Sequence, residues 1–444
     1  MTRRTEPGQR RIAVASMVGT TIEFFDFYVY ATASVLVFPQ LFFPKVDPTT
    51  ALLASLATFG LAFVARPLGS VVFGHFGDRL GRKTTLVASL LIMGVATFSI
   101  GLLPSYQQVG ILAPLALAAL RFTQGIALGG EWSGAALLAT ESASAHRRGW
   151  AAMWPQLGAP VGFLLANGSM LVLLAVLGGG NPGQTDLDQP FYTWGWRVPF
   201  LASAVMVAFG LYVRLKLSET PVFERALDRG ENVRAPLALL LRRNWADVAV
   251  GTLAVVSTFT IFYIVTTWML GYATAARDTK HGLGIGFVDF LELQLVAVLF
   301  FAASVPVAGR LIDRYGRRRV LITTSLGIIA YGCCFNAFLS PENASTPGVL
   351  AFLIMGMVLV GLAYGPLGAV LPELFPTNVR YTGSGVAFNL AGILGAAVAP
   401  FIATWLTVHY GVLYVGYYLA GAAAVTLIAQ VAMRETRQVS LESG

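Results

Sequence analysis

Long apolar runs alternate with short charged turns along the whole chain. Twelve of these runs reach the roughly 20 residues that a membrane helix needs. They cover about 12–40, 51–76, 84–103, 110–139, 150–178, 198–217, 246–275, 285–311, 320–339, 348–371, 381–405 and 411–433. Six runs are followed by a polar connection from Ser218 to Trp245, and then by six more. The pattern predicts an all-α membrane protein of twelve transmembrane helices. Its organisation is an N-terminal bundle over 1–217, a cytoplasmic linker over 218–245 and a C-terminal bundle over 246–444.

The chain also repeats itself. Gly74-His-Phe-Gly-Asp78-Arg79-Leu-Gly81-Arg82-Lys83 lies between the second and third runs. Gly309-Arg-Leu-Ile-Asp313-Arg314-Tyr-Gly316-Arg317-Arg318-Arg319 lies between the eighth and ninth, with Asp313 235 residues after Asp78. Glu141 and Arg148, between runs four and five, recur 232 residues later as Glu373 and Arg380. Two motifs recurring at nearly the same spacing imply a duplicated unit, hence two pseudo-symmetric six-helix halves.

Composition agrees. Of 444 residues, 56% are hydrophobic and 12% charged, against about 25% charged in a soluble domain. Such a chain cannot cover a water-facing surface. The net charge of +8 needs no nucleic acid, because Lys and Arg collect on the cytoplasmic side of membrane proteins. With the N-terminus inside, inner segments hold 24 of the 30 Lys and Arg and outer loops hold four. Both termini are therefore expected in the cytoplasm. The short basic N-terminus and the long run after it read as a first span, not a removed signal. Cys333 and Cys334 match no metal or redox spacing and are expected in the core. No cofactor, metal or phosphate-binding motif is present, and an enzyme is not expected.

The stretch Gly74–Lys83 resembles the signature loop of the major facilitator superfamily, and Gly309–Arg319 resembles its second-half copy. Gly19-Thr-Thr-Ile-Glu23-Phe-Phe-Asp26-Phe-Tyr, Ala65-Arg66-Pro67-Leu-Gly69, Arg121-Phe-Thr-Gln124-Gly125 with Gly129-Gly130-Glu131-Trp132, Trp194-Gly-Trp196-Arg197-Val-Pro199-Phe200, Glu219-Thr220-Pro221-Val-Phe223 and Pro372-Glu373-Leu-Phe-Pro376-Thr377 are similar to segments of its metabolite:proton symporter family. Within that family the chain looks most like the shikimate and organic-acid branch. The resemblance implies a proton-coupled importer of a small organic acid, such as shikimate or a di- or tricarboxylate, working by alternating access in a bacterial inner membrane. A monomer is expected, with the acid, the proton and the lipid bilayer as its partners.

The resemblance also implies a cytoplasmic gate built from Asp78, Arg82, Glu141, Arg148, Asp313, Arg317, Glu373 and Arg380. Asp78 would dock against the start of span 11 near Thr377–Arg380, where a helix dipole stabilises a carboxylate by about 0.3–1 kcal/mol. Arg82 and Arg148 would pair with Glu141, and Arg317 and Arg380 with Glu373. Such a network forms only while the cytoplasmic side is shut.

Ionisable groups inside a membrane are expensive and point to function. Glu23 and Asp26 share one face of span 1. Asp26 lies about 21 Å into it at 1.5 Å per residue, and Arg121 reaches a similar depth from span 4. Burial favours a neutral acid and a nearby guanidinium favours its anion, so an acid balanced between them can exchange a proton. Asp26, Glu23 and Arg121 are therefore the expected coupling residues, with Arg121 freed for an anionic substrate when Asp26 is protonated. Glu131 reads as interfacial, and Arg66 as a gate residue or one that snorkels. The second half has no charge at mid-depth. Substrate contacts are expected from Arg121, Gln124, Trp154, Gln156, Tyr263, Trp268, Tyr364 and Asn389, near the midplane between repeats. Glycines crowd spans 4, 5, 10 and 11, where they let helices approach closely.

Two rivals stay within the superfamily. A drug:proton antiporter would carry a glycine-rich span 5 motif from which Gly158-Ala-Pro160-Val-Gly162 departs. A symporter of a zwitterionic osmolyte such as proline or betaine is the stronger one. A channel would need rings of charge that are missing here.

Overall fold

The structure, a computed structural model, describes residues 7–80, 82–179, 186–215, 236–277 and 282–437. The side chains of residues 7–11, 49, 78–80, 82, 145 and 236 lie outside the described set. The expected roles of Asp78 and Arg82, and most of the 218–245 linker, therefore fall outside it. Eleven helical runs among the described residues are long and apolar enough to cross a membrane. In a bilayer the helix satisfies every backbone N–H and C=O without water, which is why each uncharged run becomes one. They are α1 Ile12–Leu36, α2 Thr50–Gly77, α3 Lys83–Gly101, α4 Leu112–Glu141, α5 Arg148–Leu177, α6 Phe191–Leu215, α7 Trp245–Thr274, α8 Phe287–Tyr315, α10 Thr346–Glu373, α11 Thr377–Tyr410 and α12 Val412–Ala432. The stretch expected as the ninth span is α9, Arg317–Cys333, which continues past Cys334 as Phe335–Leu339.

Helices α1–α6 pack on one another mainly as α2 on α4, α1 on α5, and α3 on α4 and α6. The last six repeat the scheme, with α8 on α10, α7 on α11, and α9 on α10 and α12. The two sets meet chiefly where α2 faces α11 and α5 faces α8. Their outer surface is apolar: Val176, Val205 and Ile428 are each more than 70% exposed, as lipid-facing positions require. Cys333 and Cys334 belong to that surface and not to the core, being exposed and half-buried respectively.

The closest helix approaches rest on glycine. A Cβ at Gly129 of α4 would overlap the Arg66 carbonyl of α2. The repeated motif also differs from the loop its glycines suggest. The helix containing α2 runs on to Leu80, and the next begins at Arg82. Gly74 and Gly77 are packing glycines there, facing Thr382 and Tyr381 of α11. In the second copy the chain stays helical through Tyr315 and reverses at Gly316, whose φ of 96° is open to a residue without a Cβ.

Candidate functional site

Four layers of contact join the two helix sets along the axis of the bundle. The first lies at the end carrying the repeated motifs. Asp313, near the end of α8, accepts from the backbone N–H groups of Gly149 and Trp150, both at 2.9 Å. These belong to the first turn of α5, whose N–H groups have no partner within their helix. A carboxylate there meets both the free donors and the positive end of the helix dipole. Glu373 receives Arg317 through two bonds of 3.0 and 2.9 Å, as expected. Two pairs cross between the sets. Arg148 lies 3.9 Å from Glu373, and Arg380 lies 3.6 Å from Glu141. Each acid thus meets an arginine of the opposite set, and Glu373 also holds Arg317 of its own. The physical reason is that Arg148 and Arg380 each open a helix, α5 and the helical part of α11, beside the facing set.

The C-terminal tail belongs to this layer. Glu435 accepts from the N–H groups of Arg317 and Arg318 at 3.0 and 3.1 Å, capping α9, and the Thr436 hydroxyl donates to Glu373 at 2.7 Å. Nothing in the local sequence marks this strap.

The second layer is hydrogen-bonded and aromatic. Asn389 donates to Ser70 Oγ at 2.6 Å and to the Gly129 carbonyl at 3.0 Å. The Tyr381 hydroxyl donates to the Gly130 carbonyl. Trp132 stacks on Phe388 at 3.7 Å and donates to Gln156 at 3.0 Å. Gln156 in turn donates to the Tyr364 carbonyl at 2.7 Å, where α10 breaks before Pro366. Gln156 and Asn389, expected at the substrate, are joints between the two sets in this conformation.

The third layer is a narrow space between the two sets, about 440 Å³ in all when its open mouth is counted. Glu23, Tyr28, Arg66 and Ala159 line it from the first six helices, and Phe259, Phe262, Tyr263, Phe301, Tyr364 and Phe388 from the last six. It brings together the expected Tyr263 and Tyr364. Glu23 is 3% exposed, and its Oε2 has no hydrogen-bond partner among the described residues. Arg66, 4% exposed, stacks over Phe27 and Phe63 at 4.8 and 4.7 Å. It therefore neither snorkels nor joins the charged layer.

Asp26 and Arg121 stand behind this cavity and form no ion pair. Asp26 accepts from Thr97 at 2.8 Å, Gln124 donates to Thr97 at 2.6 Å, and Arg121 donates to Gln124 at 2.8 Å. A four-residue polar chain thus replaces the expected direct contact. The Arg121 guanidinium is enclosed by Tyr30, Phe27 and Phe59 at 3.9, 4.6 and 5.2 Å. An aromatic cage of this kind stabilises a desolvated cation by about 2 kcal/mol or more. Of the remaining expected contacts, Trp268 turns to stack on Tyr272 at 5.0 Å, and Trp154 is half-buried beside Trp150. Trp268 ends a π-helical turn of α7, Ile264–Trp268; such turns re-aim side chains and collect at functional sites.

The fourth layer is a smaller space of about 300 Å³ beyond Tyr28. Thr32 and Asn167 line it from one set, and Thr266, Thr267 and Gln294 from the other.

The family model described as Major Facilitator Superfamily matches residues 16–393 and 286–442. The chain is 52% identical over 434 residues to the "Inner membrane metabolite transport protein YhjE" of Escherichia coli strain K12, covering 98% of this chain and 96% of that one. It is 36% identical to the "Shikimate transporter" of the same organism, covering 97% and 95%. It is 31% identical to the "Proline/betaine transporter" of Salmonella typhimurium, covering 96% and 84%. Among solved structures it is similar to the proton:xylose symporter XylE bound to 6-bromo-6-deoxy-D-glucose. The TM-score is 0.73 with 16% identity, and 99% of each chain is covered.

Proposed function

The chain belongs to the major facilitator superfamily, and from that premise we propose that it is a proton-coupled symporter importing a small organic acid by alternating access. The single observation that carries this reading is the third layer. A carboxylate and a guanidinium, both buried, line one narrow space between the two helix sets. Buried charges of this kind are costly in a membrane and mark substrate or proton pathways. Arg66 is the cation placed to meet the acid group, in the role first expected of Arg121. Glu23 lies at the cavity, and Asp26 in the polar chain behind it. These two carboxylates carry the proton.

The halves that rock are residues 1–217 and 246–444, joined by the 218–245 connection, with α9 as the ninth of twelve spans. The motif end is cytoplasmic on the Lys and Arg bias, and both termini lie there, in a bacterial inner membrane. With the charged layer assembled, this is a conformation closed to the cytoplasm. The protein acts as a monomer, since the cavity is complete within one chain.

A zwitterionic substrate is the second reading, because the cavity offers one acid and one base and thus suits a cation and an anion on one molecule. The test is uptake into proteoliposomes under an inward proton gradient, with shikimate, citrate, 2-oxoglutarate, proline and betaine, for wild type, Glu23→Gln and Asp26→Asn. Gradient-driven uptake of an acid, lost in both variants, is expected. Uptake of proline or betaine alone would replace the acid with an osmolyte. Uptake indifferent to the gradient would remove symport.

A further inference from the structure

Glu131 is a third buried carboxylate, and the symport reading gives it no part. It is 0% exposed on α4, and its Oε1 pairs with Arg214 in the last turn of α6. The guanidinium also donates to the Leu86 carbonyl of α3 at 2.6 Å. Glu131 Oε2 is buried and has no hydrogen-bond partner among the described residues. A permanent buried ion pair is favourable only when its remaining lone pairs are also met, and here they are not. The arrangement is nevertheless built. A Cβ at Gly19 of α1 would collide with the Arg214 guanidinium, so glycine opens the path by which Arg214 reaches Glu131. Four residues along the same face of α1 stands Glu23, whose Oε2 is likewise buried and unmet. The turn of α1 from Gly19 to Glu23 thus packs directly against the Arg214–Glu131 pair.

We propose that Glu131 is the inner proton station, receiving the proton from Glu23 and passing it out beside Arg214. Glu23 loses its O–H proton and becomes a carboxylate. The Glu131 carboxylate gains that proton and becomes neutral, which releases its attraction for Arg214 while Arg214 keeps Leu86. Glu131 then gives the proton to water at the end of α6, and the ion pair re-forms. One proton moves and no other bond changes. The charged groups around this station are Arg214 from α6, which pairs with it, and Glu23 and Asp26 from α1, while Arg66 from α2 and Tyr364 from α10 line the space at Glu23 and Tyr381 from α11 bonds the neighbouring Gly130 carbonyl. Arg121 lies on α4 itself.

The inference rests on the symport reading, so its test has an arm that needs no substrate. Infrared difference spectra of the purified full-length protein between acid and alkaline pH read the C=O bands of buried carboxylic acids. Glu131→Gln is expected to remove one band present in wild type. An unchanged spectrum would mean that Glu131 never takes a proton, and the proposal falls. Should Glu131→Gln fail to fold, Arg214→Lys keeps the charge. It is expected to move the midpoint of that band, and an unmoved midpoint overturns the proposal equally.

The second arm uses shikimate in proteoliposomes. Glu131→Gln is expected to keep exchange at equal concentrations, which moves no net proton, and to lose gradient-driven accumulation to the level of empty liposomes. Full accumulation by the variant sinks the proposal. Wild type that accumulates nothing would count against the symport reading, while the infrared arm still decides whether Glu131 titrates.

Discussion

Asp313→Asn tests whether the charged layer holds the motif end shut. In wild type the two carboxylate oxygens take two N–H groups at the start of α5, each at 2.9 Å, with Arg317 3.5 Å away. Asparagine keeps one acceptor oxygen and turns an NH₂ toward the other N–H. One hydrogen bond to a charged group is lost, worth about 1.5–3 kcal/mol, together with a charge–dipole attraction of about 0.3–1 kcal/mol. Arg317 keeps both bonds to Glu373, so the layer does not collapse. The closed conformation should lose about 2–4 kcal/mol relative to the open one, a population shift of about 30- to 1,000-fold at 1.36 kcal/mol per decade. Spin labels at the exposed Arg147→Cys and Arg319→Cys positions, with Cys333 and Cys334 replaced, report the separation of α5 and α9 by double electron–electron resonance. The expected result is a long-distance population that grows in Asp313→Asn. A distribution that superimposes on the parent's would refute the view that this contact holds the gate.

Other predictions follow from single contacts. Asn389→Ala removes two hydrogen bonds between the helix sets at about 1 kcal/mol each. It should move the same label pair the same way by a smaller amount. Gly129→Leu would drive a side chain into the Arg66 carbonyl, an overpacking cost of about 3 kcal/mol or more. It should abolish the monodisperse peak in size-exclusion chromatography, whereas Gly168→Leu, with nothing within 4 Å of its Cβ, should not. Arg66→Gln should weaken binding of the transported acid by roughly 10- to 100-fold, the value of one charge-assisted hydrogen bond. Isothermal titration checks this, and unchanged affinity would free Arg66 of the role. Thr436→Val removes a buried donor to Glu373 and should lower the melting temperature, while Thr436→Ser keeps the hydroxyl and should not.

Much of this site was legible before any fold was known. The family resemblance implied one charged layer from Glu141, Arg148, Glu373 and Arg380, and Asp313 is seated on a helix start of the kind that resemblance implied for Asp78. The pairs across the two sets were not legible. Arg380 lies 239 residues from Glu141, and no sequence proximity points to that contact. Asp26 and Arg121 were placed at one depth by counting residues, yet counting cannot see that Thr97 and Gln124 stand between them. Arg214 was hidden because the last turn of a span reads like the start of a basic linker.

The sequence by itself determined the membrane class, eleven of the twelve expected spans and the repeated motifs. Length, apolarity and repeat spacing are properties of one dimension, and a bilayer converts each long uncharged run into a helix with little choice. The tertiary structure decided which charge meets which, and which aromatic faces the cavity. Those outcomes depend on helix rotation and close approach, set by distant surfaces such as Gly129 against Arg66, Trp132 against Phe388 and Glu435 against the start of α9. A side chain's partner is fixed by packing summed over both helix sets, and no local pattern carries that sum.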